Sequence, residues 1–173
     1  MKKELVFRLL CAADLAALPE DLPSGSVSYE LHAGKLIVTP PTSDEHGSTE
    51  SLITSSLVVN GQQAGLGKVR GGEVGILISR NPDTVLGADV VFLSTSQFPV
   101  EVTPEGYLAT MPTLVVEIAS KNDTQAKIKR EVQQYLTAGV ETVWVVYPLS
   151  KNVTVFQMGR DPTTFTGEER LIF

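Results

Sequence analysis

Two acids sit where acids are costly. Glu117 interrupts the apolar run Leu114-Val115-Val116-Glu117-Ile118-Ala119, and an unpaired carboxylate inside a buried strand is expensive. Asp89 opens a second apolar run, Asp89-Val90-Val91-Phe92-Leu93. Neighbouring strands would bring the two carboxylates to one point. Alone they would repel, and one would take up a proton. A divalent cation between them removes that cost. The blander alternative is a pair of strand-end acids satisfied by backbone donors or a nearby cationic side chain. The residue pattern alone leaves both open.

The rest of the composition narrows the chemistry. The single cysteine, Cys11, excludes an internal disulfide and a cysteine-rich zinc site. Two histidines, His32 and His46, are too few for a histidine cage. Any metal site should therefore be built from carboxylates, which favours a hard cation, Mg²⁺ or Mn²⁺. The net charge of -6 and a pI near 4.9 argue against passive, charge-driven binding to nucleic acid. They leave room for a metal-dependent enzyme acting on phosphates, because a bound cation changes the local field.

Elements must position these acids. The chain has 173 residues, 42% hydrophobic and 20% charged, which fits one globular domain over 1–173. The N-terminal "MKKELVFRLLCAADL" resembles a signal peptide in outline, but Glu4, Arg8 and Asp14 break its apolar run. An amphipathic helix over 3–17 is expected instead. No stretch approaches the roughly 20 apolar residues of a membrane span, so a cytoplasmic location without membrane partners is the default.

"VSYELHAGKLIVTPP" predicts a hairpin turning at Ala33-Gly34. Capping residues and acids in "TSDEHGSTE" open a helix that Gly65 should end. "KVRGGEVGILIS" predicts short strands, and "DTVLGADVVFLS" another centred on Val90 and Val91. "FPVEVTPEGYLATMP" reads as a loop, and 114–119 as a strand. The helix signal over 124–138 is the clearest: Ile128, Val132, Tyr135 and Leu136 form one stripe, and Gly139 ends it. "TVWVVYP" and "NVTVFQM" follow as strands around "LSKN", with a turn-rich tail and a last short strand at "RLIF". The order suits an α/β mixed sheet flanked by helices.

The ordered set "YELHAGKLIV", "GADVVFLS", "PTLVVEIAS" and "YLTAGVETVWVVYP" resembles the Uma-two family of predicted restriction endonucleases, over about residues 28–157. The resemblance implies a restriction-endonuclease-like fold of the PD-(D/E)XK nuclease superfamily, metal-dependent cleavage, and DNA as substrate. Asp89 and Glu117 would be both catalytic and metal-binding, with the carbonyl of Ile118 as a further ligand.

Two departures stand out. Ala88 replaces the proline of the family's "PD", a change in local stiffness only. Ala119 occupies the place of the parent motif's lysine, two residues after the Glu. The Uma-two pattern moves that lysine to the following helix, at the position held here by Glu131. Lys127 stands one turn earlier, where relatives often carry an acid, so the pair looks swapped. Lys127 and Lys129 are the candidate catalytic lysines. Lys127 shares the Glu131 side of the helix, whereas Lys129 flanks the other side of the apolar stripe. A simple exposed i, i+4 pair of Lys127 and Glu131 is the alternative.

Glu30, matching the family's "YE", His46 at a helix N-terminus, and Glu73 in "GGEVGILI" are possible supporting residues. Each has a bland counterpart, a solvated strand acid for Glu30 and a cap neighbour for His46. Trp144 reads as core, and "GQQAGLGKVRGG" as a loop, since it lacks the strand-loop-helix order of a nucleotide fingerprint. Metal-dependent phosphodiester hydrolysis is the leading expectation. The alternatives are a non-catalytic assembly or regulatory module on the same fold, and a metal enzyme acting on another phosphate ester. Alternation at 153–156 suggests an exposed edge strand and with it a possible homodimer.

Overall fold

The computed structural model describes residues 8–19, 21–23 and 25–167. Its frame is an eight-stranded mixed sheet. The strands are β3 (Ser28–His32), β4 (Lys35–Thr39), β5 (Gly67–Ser79), β6 (Thr84–Ser94), β7 (Leu114–Ile118), β8 (Thr142–Tyr147), β9 (Asn152–Gln157) and β10 (Thr163–Thr166). The order is β10-β9-β8-β7-β6-β3-β4, with β5 also on β6. Only β7 and β8 run parallel, and helix α3 (Gln125–Ala138) makes the crossover between them. A parallel pair needs such a connection. Two-residue strands β1 (Asp21–Leu22) and β2 (Gly25–Ser26) form a separate small ribbon.

Strand alternation builds two cores. Val91, Leu93, Val115, Val143 and Val145 pack with Ile128, Val132 and Tyr135 of α3. Val90, Phe92, Leu114, Val116 and Trp144 point the other way, toward Leu57 of helix α2 (Asp44–Leu57). Each buried strand is therefore apolar on both faces, as expected of a covered sheet. Trp144 is core, as its sequence setting suggested. Thr124 caps α3 through the amide of Lys127, and Gly139 ends it at φ +109°, the left-handed stop that glycine serves best.

The structure departs from the sequence expectations at five places. Among the described residues of 3–17, only α1 (Ala12–Ala16) is helical; residues 1–7 lie outside the described part. The Asp14 carboxylate accepts the Cys11 amide at 2.8 Å, and Asp83 accepts that of Ala12. The helix thus begins at Ala12, where its free amides find partners. Upstream, the Leu10 amide is drawn to the carbonyl of Gly34.

The segment around Gly65 leaves the helix through a π turn, Val58–Gln62, with Gly65 itself in the following turn. The stretch read as a loop before "KVRGG" already enters β5 at Gly67. The "short strands" of 68–79 are one 13-residue strand with a bulge between Gly71 and Val74. Finally, β9 is not an edge, because β10 pairs along Asn152–Val155. The basis given for a homodimer at 153–156 is therefore removed. The strand expected at "RLIF" lies outside the described residues. No helix among the described residues is long and apolar enough to cross a membrane.

Candidate functional site

The site forms where the sheet splits. One edge of β6 is shared by two strands: β7 pairs with Val90–Phe92, and β3 meets β6 only at Val85. Between these contacts, backbone amides face the gap and need acceptors. Carboxylates supply them. The Glu30 Oε1 accepts the amide of Gly87 at 2.9 Å, and the Asp89 Oδ2 accepts that of Ile118 at 2.6 Å.

Asp89 and Glu117 meet at the head of this gap. The β6–β7 register places Val90 against Val116, so one further step sets Asp89 opposite Glu117. Glu117 alternates with Val116 and Ile118 and hence faces α3. There the Tyr135 hydroxyl donates to its Oε1 at 2.7 Å. Burial, and next the charge of Asp89, push the Glu117 carboxyl well above the usual range. No basic side chain is among its leading influences. Asp89 reaches the other way as well: its Oδ1 lies 3.3 Å from His46 Nε2, on α2. That contact raises the His46 pKa above its ordinary value, despite burial. His46 Nδ1 is buried without a partner.

Further acids crowd in. The β5 bulge turns Glu73 back over Gly87, where an added Cβ would lie 2.9 Å from the Glu73 Oε2. Glu73 adopts φ +58°, a conformation costing a non-glycine residue about 1–2 kcal/mol. Although the residue as a whole is exposed, its carboxyl faces the gap. Loss of solvent, then Asp89 and Glu30, raise its pKa to about 7. Glu50, one turn after His46, accepts the Gly72 amide of the same bulge at 2.8 Å. Donor atoms of His46, Glu50 and Asp89 lie within 4.8 Å of one another, and so do those of Glu30, His32 and Glu131.

Lys127 and Glu131 rise from α3 beside Glu117, Ile118 and Asp123, lining one cleft with them. The Lys127 Nζ is 2.8 Å from Asp123 Oδ1 and 3.9 Å from Glu131 Oε1. Burial opposes its charge, but Asp123 and Glu131 more than offset that and raise its pKa. Lys129 lies elsewhere, in a groove with Phe156, Met158 and Arg160. The structure thus gathers Asp89, Glu117, Ile118, Glu30, His46, Glu73 and Lys127 around the gap, and leaves Lys129 outside it.

Three members were not singled out as site residues from the sequence. Tyr135 looked like one more residue of an apolar stripe, yet its hydroxyl is what holds Glu117. Glu50 could have been found from its i, i+4 spacing to His46, and His32 from sharing a strand face with Glu30.

A mixed sheet with a helix on each face, split around a nest of acids, is a restriction-endonuclease-like architecture. A solved structure described as "a putative nuclease belonging to DUF820 from Anabaena variabilis ATCC 29413" shares the fold, with a TM-score of 0.73 and 20% identity over 94% of this chain and 88% of that one. The family model for Uma2, described as "Putative restriction endonuclease", matches residues 13–173, and the chain belongs to this family. No curated protein matches it.

Proposed function

We propose that the chain is a phosphodiester hydrolase of the PD-(D/E)XK type acting on DNA in the cytoplasm, with Mg²⁺ or Mn²⁺ held by Asp89 and Glu117. The observation that carries this is the burial of Glu117 opposite Asp89, at a split in the sheet, with no basic side chain among the leading influences on Glu117. Two carboxylates are the oxygen donors a hard cation takes. The carbonyl of Ile118 is a fitting third donor. In a strand, the N–H and C=O of one residue face the same side, and the Ile118 amide faces Asp89. A cation held there would polarise a phosphate oxygen and acidify a coordinated water.

The protein's own groups prepare that chemistry. Tyr135 fixes the rotamer of Glu117, leaving its second oxygen for the cleft. The Ile118 amide and His46 orient Asp89 from two sides. Lys127, anchored by Asp123 in the same cleft, is placed to stabilise negative charge developing on the phosphate. Glu30 and Glu73 hold the gap open by occupying amides and space around Gly87.

A second reading, the non-catalytic assembly or regulatory module, draws on one observation. The Lys127 ammonium is already engaged by Asp123, so its availability to a substrate is the point at issue. Cleavage of single- and double-stranded DNA, with and without Mn²⁺, decides between them. Metal-dependent cleavage that Asp89→Asn and Glu117→Gln both abolish supports the hydrolase. Cation binding without cleavage of any DNA favours the module.

A further inference from the structure

We propose that Glu30, His32 and Glu131 form a second cation site, beside Asp89 and Glu117 but sharing no ligand with them, that takes a borderline transition ion such as Mn²⁺ or Zn²⁺. The site would stand whether or not the protein cuts DNA.

Strand β3 presents the first two ligands. Alternation puts Glu30 and His32 on one face, with Leu31 fully buried on the other. The strand is pinned by β4 along its length and by β6 at Val85. The His32 Nε2 lies 2.9 Å from Glu30 Oε2. Two donors at right angles on an octahedral ion, with bonds of about 2.1 Å, stand about 3 Å apart. The other oxygen of Glu30 is held by the Gly87 amide, so the carboxylate is already aimed.

The third ligand comes from α3. The Glu131 Oε1 is buried and has no hydrogen-bond partner. Lys127 at 3.9 Å is too far to donate to it. One donor atom from each of the three residues lies within 4.8 Å of the other two. Buried acceptors are almost always satisfied in folded proteins. An orphaned carboxylate oxygen beside a carboxylate–imidazole pair therefore points to a positive centre that the side chains themselves do not supply. Loss of solvent at Glu131, only partly offset by Lys127, raises its carboxyl above the usual range, as expected where an acid lacks its counter-charge. The three side chains are 15–18% exposed, open enough for an ion to enter.

Ligand chemistry separates this site from the first. An imidazole in the set shifts preference from Mg²⁺ toward Mn²⁺ and Zn²⁺, whereas Asp89, Glu117 and a carbonyl offer oxygen alone.

The test uses Mn²⁺ titrated into the full chain. Stoichiometry is read by equilibrium dialysis, and nitrogen ligation by ¹⁴N modulation in pulsed electron paramagnetic resonance. The unmodified protein should show directly bound imidazole nitrogen. His32→Asn should remove that signal and weaken one binding event at least tenfold. Glu131→Gln should weaken the same event, and serves on its own should His32→Asn fail to fold. Asp89→Asn should leave the nitrogen signal in place, so failure of the hydrolase reading is distinguishable from failure of this one. Absence of ¹⁴N modulation in the unmodified protein overturns the site. So does a signal that survives His32→Asn and vanishes in His46→Asn, which would place the ion with His46, Glu50 and Asp89.

Discussion

Each acid accepts from a neutral donor, Glu117 from the Tyr135 hydroxyl and Asp89 from the Ile118 amide, and Asp89 also stands 3.3 Å from His46 Nε2. Those donors orient the carboxylates without neutralising them, which leaves charge for a cation. Asp89→Asn or Glu117→Gln should therefore abolish Mn²⁺ binding at that site and DNA cleavage together, with an unchanged circular dichroism spectrum, because each removes a repelling charge. Lys127 answers to a different demand. With a role at the developing charge of the transition state, Lys127→Ala should lower kcat by about 100-fold while leaving Mn²⁺ affinity within about twofold. Lys129→Ala is the control, since that side chain lies in another groove. Activity that disappears only in Lys129→Ala would place the catalytic lysine at Lys129. The double variant Lys127→Glu plus Glu131→Lys restores the family arrangement, and it should keep the activity that Lys127→Glu alone loses.

At the scale of elements, two hydrogen bonds join separate segments, Ala12 to Asp83 and Tyr135 to Glu117. Asp83, in the turn before β6, accepts the Ala12 amide at the start of α1 and pairs with Arg80. Those donors hold its pKa below the ordinary carboxylate value, against the effect of burial. Asp83→Ala would orphan a buried amide as well as removing a helix anchor, and each such loss costs about 1–3 kcal/mol. A lowered thermal midpoint, with α1 amides exchanging faster by hydrogen–deuterium exchange, is the expected result. Tyr135→Phe isolates the contact from α3 to β7. It strips Glu117 of its donor, so the protein should lose about 1–3 kcal/mol in urea unfolding at acid to neutral pH. Metal bound in the cleft should narrow that loss, since a cation also satisfies the carboxylate.

For the whole molecule, acids concentrated around one gap make stability depend on pH in a definite direction. The Glu73 carboxyl titrates near 7 in the folded chain against 4.5 ordinarily. The unfolded chain therefore loses this proton first as pH rises. The stability Glu73 contributes is complete below about 4.5 and disappears as pH climbs through about 7. His46, raised from 6.5, acts in the same sense. The metal-free protein should melt at a higher temperature near pH 5 than near pH 8. Glu73→Gln should flatten that slope, and millimolar Mn²⁺ should recover the midpoint at pH 8 through preferential binding to the folded state. An equal midpoint at both pH values in a chelator would contradict it. The net charge of -6 sets a further expectation. Duplex DNA should be held weakly in a chelator and at least tenfold more tightly with Mn²⁺, measured by fluorescence anisotropy, because the net negative charge opposes phosphate contacts until a bound cation offsets it locally.

Local pattern by itself determined much of this protein. The apolar runs of β6, β7 and β8, the stripe and stop of α3, and the hairpin at Ala33-Gly34 are short-range signals, and the folded chain repeats them. The cost of an acid within such a run marked Glu117 and Asp89 as needing a partner, while leaving open whether that partner was a cation or backbone donors. Only the tertiary structure decided what surrounds them. That β6 is shared by β7 and β3, opening a gap whose amides take Glu30 and Asp89, depends on pairing between distant strands. That Glu131 of α3 meets Glu30 and His32 of β3 depends on where the crossover helix lies. The same holds for α1, which starts where Asp83 reaches it, and for β9, which β10 covers. Apart from the β9–β10 hairpin, whose partners lie 8–14 residues apart, the deciding contact joins segments far apart in sequence, and its energy is written in no local run of residues.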